Sequence, residues 1–522
     1  MFSLLHQRLD RLTGTAGDAV LQGGKKGMEK ESLRVSPEGR ISTRPHPAGL
    51  GSALTHPWVT TDFSEALLEL VTPPHATSWE TLSFLCDLHQ FVYERIGDEM
   101  LWATSMPCIV ESDASVPIAE FGSSNSGRMK HVYRLGLSHR YGRVMQAISG
   151  VHFNYSLPES FWQIYQSCEG STETAVTFRN AAYFDLLRNY RRLGWIVLYL
   201  FGASPAVCKS FLCGNRTELP EWDPWTVYGP HATTLRMSDV GYRNANQAGV
   251  NPGMNQLADY VAALDSATRT PLEAYEAIGT RSDGEWRQLN TSVLQIENEY
   301  YGFIRPKQIT RSGERPISAL KRRGVEYVEI RSLDVSPLDP AGVSQNEMRF
   351  LEAFLILCML SDSPKLSDAE AREYDGNHLR AAVRGREPGI ELTIDGKRRS
   401  LQAWSIEIIE SMRPVCELLD SGQSEPCYQA SLDLQLAKVD DPGRTPSAQI
   451  LETMAQRESS FFEFAMDLSE RYRDYFRALP PIEPSRLRLF EDEVASSIQR
   501  QKDMEATDSM AFEEFLRRYY AG

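Results

Sequence analysis

Short runs with strand periodicity, set far apart in a chain that otherwise reads as helix and loop, constrain this sequence more than any other feature. Met28 to Val35 (MEKESLRV) is one such run, His152 to Leu157 (HFNYSL) alternates, and Val325 to Arg331 (VEYVEIR) carries charges at every second or third place. Strands separated by long helical or irregular insertions suggest an antiparallel sheet with helices on one side, an α+β architecture. A Rossmann-like series would place short glycine turns between regularly spaced strands and helices, and that rhythm is absent. Phe178 to Phe201 reads as a clear helix. Beyond about Gln345 the pattern is almost wholly helical, with apolar groups at helical spacing in Arg349 to Leu357, Leu401 to Leu419 and Ile450 to Phe476. Pro480, Pro481 and Pro484 punctuate two charge-rich terminal helices.

Composition narrows the function classes. Fifty-five Lys and Arg against 70 Asp and Glu give a net charge of −15 in 522 residues. Such a surface disfavours nucleic acid and anionic lipid as partners, so an anionic substrate must be caught by local arginines or by cations. The first dozen residues read as an amphipathic helix with no secretory segment. The longest uncharged apolar stretch, Leu193 to Cys208, falls short of the ~20 residues a membrane span needs and contains Gly194, Gly202 and Pro205. Eight cysteines without a CxxC pair fit reduced thiols. These features predict a soluble, cytoplasmic protein.

Carboxylates fall where a core should be. Glu29 and Glu31 leave the same face of a strand, and so do Glu329 and Arg331. In Asp62 to Val71 the acids interrupt an apolar segment. Strand periodicity groups Glu65 with Glu69, helical periodicity groups Asp62, Glu65 and Glu69, and spacing does not separate the two. His152 shares a strand face with Asn154 and Ser156. Each run taken alone fits the solvated side of an antiparallel sheet. Taken together, carboxylate faces in mostly apolar contexts fit Mg²⁺, a hard cation that takes oxygen ligands, and the phosphate chemistry it serves. Arg134, Arg236, Arg305, Arg311 and Arg331 are candidate anion clamps. Walker, Rossmann, H-E-x-x-H and G-x-S-x-G signatures are all missing from the sequence.

Several strings resemble the γ-proteobacterial type of glutamate–cysteine ligase (γ-glutamylcysteine synthetase). They are Gly27 to Val35, Leu54 to Phe63, Ser105 to Cys108, Ser149 to Pro158, Leu200 to Ala206, Leu294 to Tyr301, Ile304 to Lys307 and Glu326 to Asp334. The likeness spans roughly residues 20–360 and thins afterwards, most of all over 361–400. It implies an α+β fold: a curved antiparallel sheet similar to the catalytic sheet of glutamine synthetase, with a large helical surround. Residues 1–345 would then form the catalytic sheet and its inserted helices, and 346–522 a mainly helical portion packed on the same body. The resemblance also implies the reaction, an ATP-dependent joining of the γ-carboxylate of L-glutamate to the amine of L-cysteine through γ-glutamyl phosphate. That is the first step of glutathione synthesis.

By the same resemblance, Glu29, Glu31, Asp62, Glu69, His152 and Glu329 match the family's Mg²⁺ site, which would also accept Mn²⁺. ATP is a substrate and glutathione a feedback inhibitor, with neither nucleic acid nor membrane as a partner. Arg134 and Arg331 match residues that face the phosphate groups and stabilise the transferring phosphoryl. Arg236, Gln146, Leu137 and Ile148 match the glutamate pocket, and Phe63, Tyr133, Tyr242 and Tyr301 the walls around the cysteine side chain. Two other readings compete: a related carboxylate–amine ligase acting on another amine, and a helical scaffold whose acidic face binds cations without turnover.

Overall fold

The protein was analysed as a computed structural model that describes residues 2–241, 250, 252–311 and 313–522. Seven strands form one sheet: β1 (Lys25–Val35), β2 (Val59–Thr61), β3 (Leu67–Val71), β4 (Met100–Leu101), β5 (Gly150–Ser156), β6 (Ile304–Lys307) and β7 (Tyr327–Asp334). Their order is β6-β7-β5-β1-β3-β2, with β4 paired to the far end of β1, and every pairing is antiparallel. Long β1 is the spine, bonded to β5 on one side and β3 on the other.

Register decides which face each side chain takes. Glu31 lies opposite Glu69, Glu29 opposite His152, and Glu329 opposite both Asn154 and Arg305. Directly opposed residues share a face, so one side of the sheet collects these polar groups. The other side carries Met28, Leu68, Leu70, Val151, Phe153, Val328 and Ile330, all buried in the main apolar core.

That core is built on helices α1 (Ser3–Ala16), α2 (Ser78–Tyr93), α3 (Ala175–Leu193) and α4 (Gln345–Leu360). In α4 every residue from Phe350 to Leu360 is buried, which fits a helix apolar around its whole circumference. Each Leu or Phe so buried contributes roughly 1.5–3 kcal/mol. The core runs from Leu5 to Phe490 and includes Val343 and Met348, so apolar packing is continuous across residue 345.

Two lysines of β1 point into this apolar side. Lys26 Nζ lies 2.9 Å from Glu352 Oε1 of α4, and Lys30 Nζ lies 3.0 Å from His89 Nε2 of α2. Burial lowers the Lys30 amine to about 7.

Some local expectations need correction. The helix read from Phe178 to Phe201 breaks at Gly194 into α3 and a second helix, Trp195–Phe201. The region beyond residue 345 also holds a hairpin, Glu391–Ile394 with Lys397–Ser400. Its turn residues Asp395 and Gly396 have φ of 50° and 71°, the left-handed pair that a two-residue hairpin turn requires. Cys108 and Cys208 are joined in a disulfide, Cα–Cα 5.5 Å, where eight reduced thiols were expected; the other six cysteines are free. The two lie a hundred residues apart, Cys108 on a loop and Cys208 at the end of the short strand Ala206–Cys208, and only the fold brings them together. No helix among the described residues is long and apolar enough to cross a membrane.

Candidate functional site

The polar face of the sheet gathers two carboxylate trios around one histidine. Ligand atoms of Glu29, His152 and Glu329 lie within 4.8 Å of one another, and so do those of Glu31, Glu69 and His152. His152 is buried, with Nδ1 3.0 Å from Glu29 Oε2 and 3.9 Å from Glu329 Oε1, and Nε2 3.7 Å from Glu31 Oε1. Asn154 donates to Glu29 Oε1 (2.8 Å), and the Gly150 N–H donates to Glu31 Oε2 (2.6 Å).

Electrostatics divide these acids. Burial pushes the Glu69 carboxyl well above the usual carboxylate range, and the negative neighbours Glu29, Asp62 and Glu31 add to it. Burial likewise raises Glu31. At Glu29, burial and Glu329 act upward, but the His152 hydrogen bond and charge outweigh them and leave it at about 2. Glu329 is held well below the usual range: burial is overcome by Lys307, Arg331, His152 and Arg305. Lys307 Nζ is 3.1 Å from Glu329 Oε1 and Arg331 Nη1 is 3.2 Å from Oε2. Glu329 Oε2 is buried and is compensated by the Arg331 guanidinium as an ion pair rather than by a well-aligned hydrogen bond.

Asp62 stands at the edge, its side chain 46% exposed and Oδ1 4.0 Å from Arg134 Nη2, and it belongs to neither trio. The structure also separates Glu65 from Glu69. The strand begins at Leu67, so Glu69 faces the site, while Glu65 accepts from the backbone N–H groups of His46 and Glu120.

Arg236 is buried beside the start of β5, donating from Nη2 to the Arg331 carbonyl (3.1 Å) with Nη1 3.7 Å from Asp334 Oδ1. Gly150 makes room for it, since a Cβ there would lie 2.0 Å from Arg236 Nη2. Gln146, Leu137 and Ile148 are buried, and Gln146 bonds the Tyr301 hydroxyl at 3.1 Å. Phe63 is buried, Tyr133 is half-buried against the same apolar cluster, and Tyr242 lies outside the described residues. Arg134 is buried, donates from Nε to the Asp62 carbonyl, and stacks its guanidinium 4.5 Å from the Phe121 ring. Arg331 is half-buried, and its pairing with Glu329 raises its pKa against burial. Arg305 is buried and bonds the carbonyls of Asn298 and Tyr300, whereas Arg311 is exposed.

Two cations of this region were not singled out from sequence. Lys307 could have been found, because it follows Arg305 by two on a strand and so shares its face. Lys130 gave no such signal. It lies one turn ahead of Arg134 on α-helix Asn125–Tyr141, accessible to solvent yet enclosed enough that burial, with Arg134 beside it, lowers its amine to about 8. A sheet face with clustered acids and several arginines can hold a divalent cation and orient phosphate oxygens.

Comparison with known proteins gives a concordant picture. A glutamate–cysteine ligase family model matches residues 9–381. The chain is 47% identical to a glutamate–cysteine ligase of Pseudomonas putida over 100% of this chain and 99% of that protein. It is 46% identical to one of Alcanivorax borkumensis, covering 99% of each. The crystal structure of Francisella tularensis glutamate–cysteine ligase in complex with AMP superposes with a TM-score of 0.90 at 36% identity, covering 96% of this chain and 98% of that one. A bifunctional glutathione synthetase from Pasteurella multocida shares the fold, with a TM-score of 0.71 at 23% identity over 91% of this chain and 55% of that one. An acid-lined antiparallel sheet, full-length likeness and a matching family model lead to one conclusion: this chain belongs to the glutamate–cysteine ligase family.

Proposed function

We propose that the protein ligates the γ-carboxylate of L-glutamate to the amine of L-cysteine, converting ATP to ADP and phosphate. The observation that carries this reading is the convergence of Glu29, Glu31, Glu69 and Glu329 on His152, with Arg331 alongside. A carboxylate is a poor acyl donor. Attack of a γ-carboxylate oxygen on the ATP γ-phosphorus expels ADP and leaves an acyl phosphate. The amine of cysteine then attacks the acyl carbon, phosphate departs, and the amine loses a proton. Catalysis of this kind rests on positioning and charge stabilisation.

The donor set fits a divalent cation: clustered carboxylates, two of them with raised pKa values, around one imidazole. Glu29, His152 and Glu329 would hold one Mg²⁺ or Mn²⁺, and Glu31, Glu69 and His152 another, with Asp62 reaching in from the edge. When bound, the cation supplies neutralisation of the phosphate oxygens. As a neutral ligand His152 has a single nitrogen lone pair, so it serves one of the two cations at a time, and Mn²⁺ accepts such a nitrogen more readily than Mg²⁺ does.

Arg331 and Arg134 face the transferring phosphoryl and stabilise its charge. Arg236 grips the α-carboxylate of glutamate, with Gln146, Leu137 and Ile148 beside it. Phe63, Tyr133, Tyr242 and Tyr301 enclose the cysteine side chain and exclude water from the acyl phosphate. Glutathione carries the same γ-glutamyl group, so it competes for the glutamate pocket as an end-product inhibitor. We assign the reaction to the cytoplasm. ADP release tests the proposal: turnover should require glutamate and cysteine together. Faster turnover with a different amine would reassign the second substrate, and no turnover with any amine would overturn the ligase reading.

A further inference from the structure

Strict alternation and the observed register assign Asp334 to opposite faces of the sheet. Counted from Glu329 and Arg331, alternation along β7 would set Leu333 on the polar face and turn Asp334 into the apolar core. The structure does the reverse. A bulge sets two residues of β7, Arg331 and Ser332, against His152 of β5, after which Leu333 faces Val151 and Asp334 faces Gly150. Leu333 joins the main core, and Asp334 comes to the side that holds Arg236.

Two anchors of the Arg236 guanidinium come from this short irregularity. The Arg331 carbonyl, in the bulge, accepts from Nη2 at 3.1 Å, and Asp334 Oδ1 lies 3.7 Å from Nη1. The second contact is an ion pair without a direct hydrogen bond. Asp334 is itself held in place: Oδ2 accepts from the Ala203 N–H at 2.8 Å and Oδ1 from the Thr234 hydroxyl at 3.0 Å. Thr234 stands two residues before Arg236, and the Leu235 N–H between them is tied to the Ser204 carbonyl. The carboxylate therefore fixes the segment that carries Arg236 as well as facing its side chain. Arg236 is buried, and a buried guanidinium needs a counter-charge that stays behind when substrate leaves.

We infer that Asp334 is a positioning residue for the glutamate substrate, holding the Arg236 guanidinium where it meets the α-carboxylate. The inference rests on the glutamate-pocket reading above. Glu329 and Arg331 of the same strand belong to the phosphate end of the site. One bulge thus sets the spacing between the clamp on the α-carboxylate and the phosphoryl group that the γ-carboxylate attacks. In-line attack tolerates little displacement, so a small rotation of the clamp is felt at the reacting oxygen.

ADP release is measured with glutamate varied. Asp334→Asn keeps the volume and one acceptor oxygen and removes the charge. The KM for glutamate should rise about tenfold, with the KM values for cysteine and ATP within about 2-fold. Arg236→Lys raises the glutamate KM by itself, and in that background Asp334→Asn should add almost nothing, because the group it positions is gone. A merely structural role would give additive losses and raise all three KM values. Thr234→Val removes one donor to Asp334 and keeps the charge; it should raise the glutamate KM about 2- to 5-fold, the scale of one hydrogen bond. It carries the test if Asp334→Asn does not fold. An unchanged glutamate KM in Asp334→Asn, or in Thr234→Val where that variant stands alone, overturns the inference, and so does full additivity with Arg236→Lys. If Arg236→Lys alone leaves the glutamate KM unchanged, the glutamate pocket itself falls and this inference with it.

Discussion

Glu329 shows how one residue concentrates the chemistry of this sheet. It is 1% exposed and each of its oxygens meets a cation, Oε1 facing Lys307 and Oε2 facing Arg331. Glu329→Gln keeps the shape and removes the charge. ADP release should fall by at least about 100-fold, the loss expected when a preorganised charge is removed from such a site. Tm should fall at neutral pH, because the buried charge paired with Lys307 and Arg331 is gone, so ADP release is read well below that Tm, on chain shown to be folded by circular dichroism. Near-normal turnover would refute the assigned role. Glu29, Glu31 and Glu329 were legible in sequence because two-residue spacing on a strand fixes a shared face. Asp62 lies outside such a strand and ends at the rim. Lys130 was hidden because a lysine on a mixed helix looks like any solvated charge.

Among the elements, β5 couples backbone to ligand recognition. Its first residue, Gly150, donates to Glu31 and lies against Arg236. Gly150→Ala is expected to displace that guanidinium, because the added carbon would sit 2.0 Å from Nη2. Glycine is needed here for space. The KM for glutamate should rise about tenfold or more with the KM for ATP unaffected, as befits a misplaced charged donor. An unchanged glutamate requirement would show that the guanidinium moves aside without cost. At this scale the sequence spoke unevenly. The three strand-like runs appear as parts of β1, β5 and β7 because their alternation is strong. Three-residue β2 is too short to carry a period, and Glu65 and Glu69 stayed ambiguous until the strand start at Leu67 was known. The Asp395-Gly396 hairpin was written in the sequence as a turn dipeptide and was overlooked among helical neighbours.

For the molecule as a whole, the clustered acids make stability depend on pH in a defined direction. Glu31 and Glu69 have folded-state pKa values above the ordinary carboxylate value, so the native state holds protons that the unfolded chain releases. Their contribution is present at low pH and is lost as pH rises through the raised values. Glu29 and Glu329 act oppositely: their lowered values give stability that disappears as pH falls below the ordinary carboxylate value. In chelator, Tm should therefore decline as pH rises above the ordinary carboxylate value, and Mg²⁺ should raise it more at higher pH. An Mg²⁺ effect independent of pH would contradict the carboxylate assignment. The α+β class was readable from the alternation of short strands and long helices. Strand order was not, because β1 pairs with β3 and β5 and not with the next strand along the chain, and neither could the Cys108–Cys208 pairing be read from spacing.

His152 sets a different nitrogen against each pair of carboxylates, so the two proposed cation pockets share one side chain. A tilt of the imidazole that improves the fit on one side alters the distance on the other. Filling either pocket therefore resets the affinity of its neighbour, and by thermodynamic reciprocity the influence runs equally both ways.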